Sequence, residues 1–175
     1  FQGESVSILE IGFGTGLNAF ITYLEAKNSG QKINYTGVEA FPVSEEDALK
    51  MNYVSELEAE SESAIFLKMH ESTWNESVVF DEQFTLEKQN KKFQEIGDSE
   101  KYDLIYFDAF GFRVQPELWS LEIFQIMFQA LKPQGILVTY ACRSSIKNAM
   151  KEAGFEVEKL GGPPGKREML RARKL

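Results

Sequence analysis

Apolar residues fall along this chain in short runs that alternate with longer amphipathic stretches. The first run, Ile8, Leu9 and Ile11, predicts a strand covered on both faces. It leads into the glycine-dense segment Gly12-Phe13-Gly14-Thr15-Gly16, and from Leu17 the spacing turns helical, with Phe20, Ile21 and Leu24 on one side. Asn28-Ser29-Gly30-Gln31 stops that helix, and residues 34–39 read as a second strand ending in Glu39. Ser44-Glu45-Glu46-Asp47 carries a capping serine with acids in the first turn, so a helix is expected through Ala48, Leu49 and Met51. Residues 53–75 are less periodic: a short helix is expected over 64–69, and Glu56, Glu58, Glu60 and Glu62 read as a solvated acidic patch. Residues 77–80 and 84–88 flank Asp81-Glu82-Gln83 as a hairpin-like pair whose second member is the third sheet strand. Lys91 and Lys92 open a short helix through Ile96.

Residues 102–108 form the next strand, and 120–131 an amphipathic helix ended by Lys132-Pro133-Gln134-Gly135. A strand over 135–140, a helix over 143–153 and two strands over 155–160 and 168–173 complete the chain, the last expected antiparallel. Strands alternating with helices predict an α/β domain built on a mostly parallel sheet with helices on both faces.

A length of 175 residues suits a single domain, 1–175, and no apolar run is long enough to span a bilayer. The chain starts without Met and enters a core strand almost at once, so an N-terminal segment is expected to be missing. One cysteine, Cys142, excludes an internal disulfide and fits a reducing, cytoplasmic compartment. With one histidine, His70, it makes a zinc site a poor reading, and a surface or capping role suits His70 best. The net charge of −8 argues against indiscriminate nucleic-acid binding, but it is uneven. Residues 1–142 hold 10 basic and 23 acidic side chains, whereas residues 143–175 hold 9 and 4. A basic C-terminal end on an acidic body fits one local phosphate-binding face or a merely solvated end.

The glycine segment carries the candidate chemistry. A dinucleotide fingerprint needs Gly-x-Gly-x-x-Gly, and its last glycine would fall at Leu17. The Gly-x-Gly-x-Gly that stands here, with Glu10 before it, resembles the first motif of class I S-adenosylmethionine (SAM) methyltransferases. SAM carries a sulfonium cation and an amino-acid tail, so a nearby acid suits it. Glu10, Gly12, Phe13, Gly14, Gly16 and Asn18 are the expected cofactor loop. Glu39, at the end of the second strand, is placed to accept hydrogen bonds from ribose hydroxyls. Phe41 can pack on adenine, and Asn90, after the third strand, is the candidate for its amino group. Strands one and four flank the switch point of such a sheet, which puts Asp108 beside the cofactor loop.

Four motifs in order then resemble one family: Gly12-Phe13-Gly14-Thr15-Gly16-Leu17-Asn18, Glu39-Ala40-Phe41-Pro42, Asp108-Ala109-Phe110 with Gln115-Pro116-Glu117-Leu118-Trp119, and Gly165-Lys166-Arg167-Glu168-Met169-Leu170. The resemblance is to the tRNA 5-methylaminomethyl-2-thiouridine methyltransferases, of the MnmD type and the methyltransferase half of MnmC. It implies a Rossmann-like class I sheet of seven strands in the order 3-2-1-4-5-7-6. It implies methyl transfer from SAM to the amine of 5-aminomethyl(-2-thio)uridine at the tRNA wobble position, and hence contact with the anticodon stem-loop. An FAD-dependent oxidase acting upstream is a further implied partner. Asp108 is the candidate to orient the amine and take its proton, and also to contact SAM. Phe110, Phe112 or Trp119 are candidates to stack on uracil, with core packing the plainer role for Trp119. Lys166, Arg167, Arg171 and Arg173 are candidates for phosphate contacts, or Arg167 pairs with Glu168. The chain departs from the family at Gly111-Phe112 and lacks an evident acid after the third strand, and the family's N-terminal extension is expected to be missing from the sequence in hand. Another SAM-type transferase, such as a small-molecule methyltransferase or an aminopropyltransferase, and a non-catalytic SAM- or RNA-binding module stay open on these residues.

Overall fold

The described residues of the computed structural model are 3–162, 164–165 and 168–175. In chain order they form β1 (Ser5–Ile11), α1 (Leu17–Ser29), β2 (Lys32–Glu39), α2 (Glu45–Leu49), α3 (Tyr53–Glu56) and α4 (Ser63–Glu71). Then come β3 (Ser77–Val79), β4 (Phe84–Asn90), β5 (Tyr102–Phe107), α5 (Leu121–Ala130) and β6 (Leu131–Thr139). The chain closes with α6 (Ser144–Glu152), β7 (Glu156–Gly161) and β8 (Glu168–Arg173).

One sheet takes the order β3-β4-β2-β1-β5-β6-β8-β7. From β4 onward this is the expected order 3-2-1-4-5-7-6, with β8 antiparallel to both neighbours. The eighth strand is the short β3, the first arm of the hairpin-like pair, which adds antiparallel to β4 at the edge.

Alternation along the central strands sends side chains to two separate apolar layers. Leu9, Ile11, Ile105 and Phe107 face α5 and the 3₁₀ turn before it, Pro116–Trp119, and cluster with Trp119, Phe124 and Met127. Val6, Ile8 and Tyr35 face the other way, against Phe20, Tyr23, Phe66 and Phe84. Glu10 has the parity of Ile8 and is therefore directed to the α1 side of the sheet, 1% exposed.

Three expectations need correction. Helix α1 buries Ala19, Phe20, Thr22, Tyr23 and Ala26, while Ile21 is 42% exposed, because Tyr23 and Ala26 complete the covered face. No α-helix forms over Lys91–Ile96; Phe93–Glu95 is a single 3₁₀ turn in which the Glu95 carboxylate accepts from the Lys92 N–H. Helix α5 ends at Ala130, and Leu131 already pairs with Tyr102. Pro133 lies inside β6, where the ladder is interrupted between Leu131 and Ile136, so its missing N–H costs no regular pair. The capping prediction holds: the Ser44 hydroxyl accepts from the Asp47 N–H at 3.1 Å.

Candidate active site

The carboxyl ends of β1, β2 and β5 lie side by side, in register, and each delivers an acid. Glu10 pairs with Gly37 and Tyr106, Glu39 closes β2, and Asp108 follows β5. The Asp108 N–H donates to the Ile11 carbonyl at 3.0 Å, so the β5 exit runs alongside the glycine loop.

That closeness dictates Gly12. Its φ is +88°, and a Cβ there would stand 2.5 Å from the Asp108 carbonyl oxygen. The loop is pinned to β2 as well, because the N–H groups of Gly12 and Phe13 both donate to the Val38 carbonyl. Phe13 folds back over Gly37, where a Cβ would meet the ring at 2.4 Å. Burying Phe13 to 3% stabilises by about 1.5–3 kcal/mol, more than the ~0.5–1 kcal/mol lost by a glycine within a strand. Beneath the loop, His70 and Trp74 of the following segment pack on Phe13 edge to face. Burial and neighbouring Lys88 hold His70 below its usual range, so it is a neutral packing group under the loop rather than a surface cap. Lys88 itself is buried, donates to the His70 carbonyl at 3.1 Å and lies over Trp74, and burial lowers its ammonium to about 8.

Three carboxylates line this edge. Glu39 accepts from the Gly14 N–H at 3.0 Å and from the Phe41 N–H at 3.1 Å, one on each oxygen. Each oxygen keeps a second lone pair for a ligand hydroxyl. Glu10 accepts from Asn18 Nδ2 at 2.9 Å and from the Tyr35 hydroxyl at 2.6 Å. The same Asn18 nitrogen donates to Asp108 Oδ2 at 3.2 Å. Among the described residues none of the three acids makes an ion pair. Burial, with smaller pushes from Asp108 and Glu39, raises Glu10 to about 8 against the pull of its two hydrogen bonds. An unpaired buried acid beside two more suits a positively charged ligand.

Several clefts open along this edge, two of them lined by most of the expected site residues. Glu10, Gly12, Phe13, Gly14, Thr15, Asn18, Asp108 and Tyr53 surround the first. Tyr53, on α3, exchanges a hydrogen bond with the Thr15 hydroxyl at 2.7 Å, a contact that sequence reasoning missed. The second cleft runs from Glu39 and Phe41 to Lys92, Phe93, Gln94, Phe110 and Gln115. Phe41 is 70% exposed and Phe110 61%, so both present free ring surface to it. Asn90 sits opposite Glu39 in the β2–β4 register, and its N–H donates to Asn75 Oδ1, while residues 92–94 line the cleft itself. Gly16, at the start of α1, lies over His70 and Phe13 rather than along the first cleft.

The remaining expected residues separate. The indole of Trp119 is buried and donates to the Phe110 carbonyl at 2.8 Å, a strut for the loop that follows Asp108. Phe112 packs against the core, and the Arg143 guanidinium covers its ring at 4.8 Å. Arg171 donates to Glu158 on β7 at 2.7 Å, and Glu168 takes Lys159 as its partner. Lys166 and Arg167 lie outside the described residues.

A loop of glycines thus has one acid before it and another at the end of the next strand. The model of the S-adenosyl-L-methionine-dependent methyltransferases matches residues 68–175, more than half of the chain. The chain belongs to this methyltransferase family. The S-adenosyl-L-methionine that the family requires is a cation, and a cleft lined by the unpaired acids Glu10 and Asp108 fits such a group. Several similar proteins carry the name tRNA 5-methylaminomethyl-2-thiouridine biosynthesis bifunctional protein MnmC. That of Campylobacter fetus subsp. fetus is 28% identical over 186 residues, covering 98% of this chain and 29% of its own. That of Idiomarina loihiensis is 28% identical over 178 residues, covering 95% and 29%. The chain thus spans less than a third of the curated relatives it matches. The crystal structure of MnmC2 from Aquifex aeolicus superposes with a TM-score of 0.71 at 20% identity, covering 98% of this methyltransferase and 54% of that chain, a likeness of fold.

Proposed function

We propose that this methyltransferase methylates the primary amine of 5-aminomethyl(-2-thio)uridine at the tRNA wobble position. The observation that carries the reading is the bridge from Glu10 through Asn18 to Asp108, which holds an acid at the rim of the cofactor loop. The motif order and the MnmC names of the relatives support the tRNA acceptor. In this reading Glu39 holds the ribose hydroxyls, Phe41 flanks the adenine, and Glu10, Gly12, Gly14 and Asn18 surround the methionine end. When bound, the cofactor supplies an electrophilic methyl group. Asp108 orients the acceptor amine and takes the proton that the amine must lose to expose its lone pair. Holding nitrogen and methyl in line is worth about 7–11 kcal/mol, so positioning carries much of the rate. Phe110, with more open surface than Phe112, is the better ring to stack on uracil.

The deciding experiment is methyl transfer from labelled SAM to tRNA from cells that lack this wobble methylation, followed by nucleoside analysis. Label in 5-methylaminomethyl(-2-thio)uridine supports the proposal. SAM binding by calorimetry with no transfer to that tRNA would overturn the acceptor and favour another SAM-type transferase or a binding module.

In the sequence Lys166 and Arg167 precede Glu168, and they are the cations we assign to tRNA phosphates, whereas Arg171 pairs with Glu158. Reversing both charges, Lys166→Glu with Arg167→Glu, should weaken tRNA binding and reduce the slope of log affinity against log salt by about 2, at ~1 per phosphate contact. Filter binding across a salt series measures it. An unchanged slope removes the assignment.

A further inference from the structure

A buried hydroxyl outside both clefts bonds to an acid of the site. Tyr35 is 1% exposed, lies on β2 below the site and lines neither cleft. Its ring packs on Phe84 and Tyr106, a task a phenylalanine would perform equally well. Its hydroxyl donates to Glu10 Oε2 at 2.6 Å, Glu10 Oε1 accepts from Asn18 Nδ2 at 2.9 Å, and that nitrogen reaches Asp108 Oδ2 at 3.2 Å. The four side chains form one unbranched line from the sheet interior to the rim.

We propose that Tyr35 is a positioning residue for methyl transfer, acting through Glu10 and Asn18 on Asp108. The inference rests on the reading of Asp108 as the group that handles the acceptor amine.

A carboxamide has one donating and one accepting end. While Glu10 is ionised it can only accept, so Asn18 turns Nδ2 toward it and the second N–H falls on Asp108. A protonated Glu10 is also a donor. Asn18 can then turn its oxygen inward, and its lone pairs face the Asp108 carboxylate instead of a hydrogen. The Tyr35 hydroxyl favours the ionised form and thus the orientation that holds Asp108. The groups facing Glu10 are Tyr35 from β2, Tyr106 from β5, Asn18 from α1, Tyr53 across the loop cleft, and the acids Asp108 and Glu39. Both acids oppose ionisation, as burial does, which leaves Tyr35 and Asn18 to sustain it.

The side-chain amide of Asn18, followed by ¹⁵N NMR in the cofactor-free protein, tests this without turnover. In the wild-type protein its signals should titrate with a midpoint near 8. Tyr35→Phe should move that midpoint up by about 1 pH or more, the effect of losing a hydrogen bond to a charged group. Glu10→Gln should abolish the titration, and adding Tyr35→Phe to it should change nothing further. In methyl transfer, the acid limb of the pH profile should move up by the same amount in Tyr35→Phe, with the rate recovering at high pH. A merely structural loss lowers the rate at every pH. An Asn18 titration identical in wild type and Tyr35→Phe overturns the inference. If Asp108→Asn keeps wild-type turnover, the last link fails with the Asp108 reading, even where the Asn18 titration responds as expected, so the two failures are distinguishable.

Discussion

Asp108→Asn is expected to reduce methyl transfer by about 10²–10⁴-fold, the usual loss when a positioned acid–base group is removed. The substitution is nearly isosteric, and the new amide oxygen can still accept from Asn18 Nδ2, so the rim should keep its shape. What is lost is the carboxylate proposed above to take the acceptor proton. Cofactor affinity should change far less, because Glu10 and Glu39 stay in place with their hydrogen bonds. Single-turnover transfer read beside calorimetric SAM binding separates the two quantities. A variant that binds SAM and turns over at nearly the wild-type rate would leave Asp108 a structural acid and return the catalytic role to positioning alone.

Gly12→Ala should be the most damaging small change in the chain. The backbone there is left-handed, at a cost of ~1–2 kcal/mol for a residue with a side chain. The added Cβ would also press on the Asp108 carbonyl at 2.5 Å, and that neighbour is backbone, which cannot rotate away. Relief requires the glycine loop to leave Val38 or the β5 exit to leave Ile11, and either opens the rim. A total of about 2–4 kcal/mol would lower the melting temperature by roughly 4–16 °C for a domain of this size, with SAM binding weakened in parallel. Thermal unfolding with and without SAM measures it. Gly97→Ala is the control, since open space surrounds that position and its backbone is not left-handed, and it should be neutral or slightly stabilising. Equal effects at both positions would show that the close approach of loop and β5 exit does not matter.

The central sheet could be read from the sequence because its strands bury both faces, and continuous apolar runs such as Ile8-Leu9 and Leu104-Ile105 have few other uses. The acids at the strand ends could be read because each of β1, β2 and β5 has a carboxylate within one residue of its end, just before a turn. Residues 53–75 resisted for a physical reason. They fold as short turns of helix, α3 and a 3₁₀ turn before α4, too short to show a period. Tyr53 was hidden there, and only the fold brings it to Thr15. Tyr35 escaped because an aromatic residue within a strand reads as core, which its ring is, while its hydroxyl does something else. Pro133 looked like the end of a helix and stands instead in an interrupted stretch of β6, since Leu131 is drawn into the sheet by its pairing with Tyr102. The C-terminal basic surplus pointed outward by count alone, yet Lys159 and Arg171 spend their charge across the β7–β8 ladder.

The buried Glu10 sets folding and chemistry at odds over a single proton. Its folded value, about 8, lies above the ordinary carboxylate value of 4.5. Between the two, the folded chain holds a proton that the unfolded chain has released. The stability linked to this group is therefore full below 4.5 and drains away as the pH rises through about 8. The native state prefers Glu10 neutral, while the orientation of Asn18 toward Asp108 prefers it charged. In the proposed reading, a positively charged cofactor held beside Glu10 would take the place of that proton. The share of stability linked to Glu10 is then largest in mild acid, and in the proposed reading the contribution of the ligand grows toward mild base, where Glu10 is already charged.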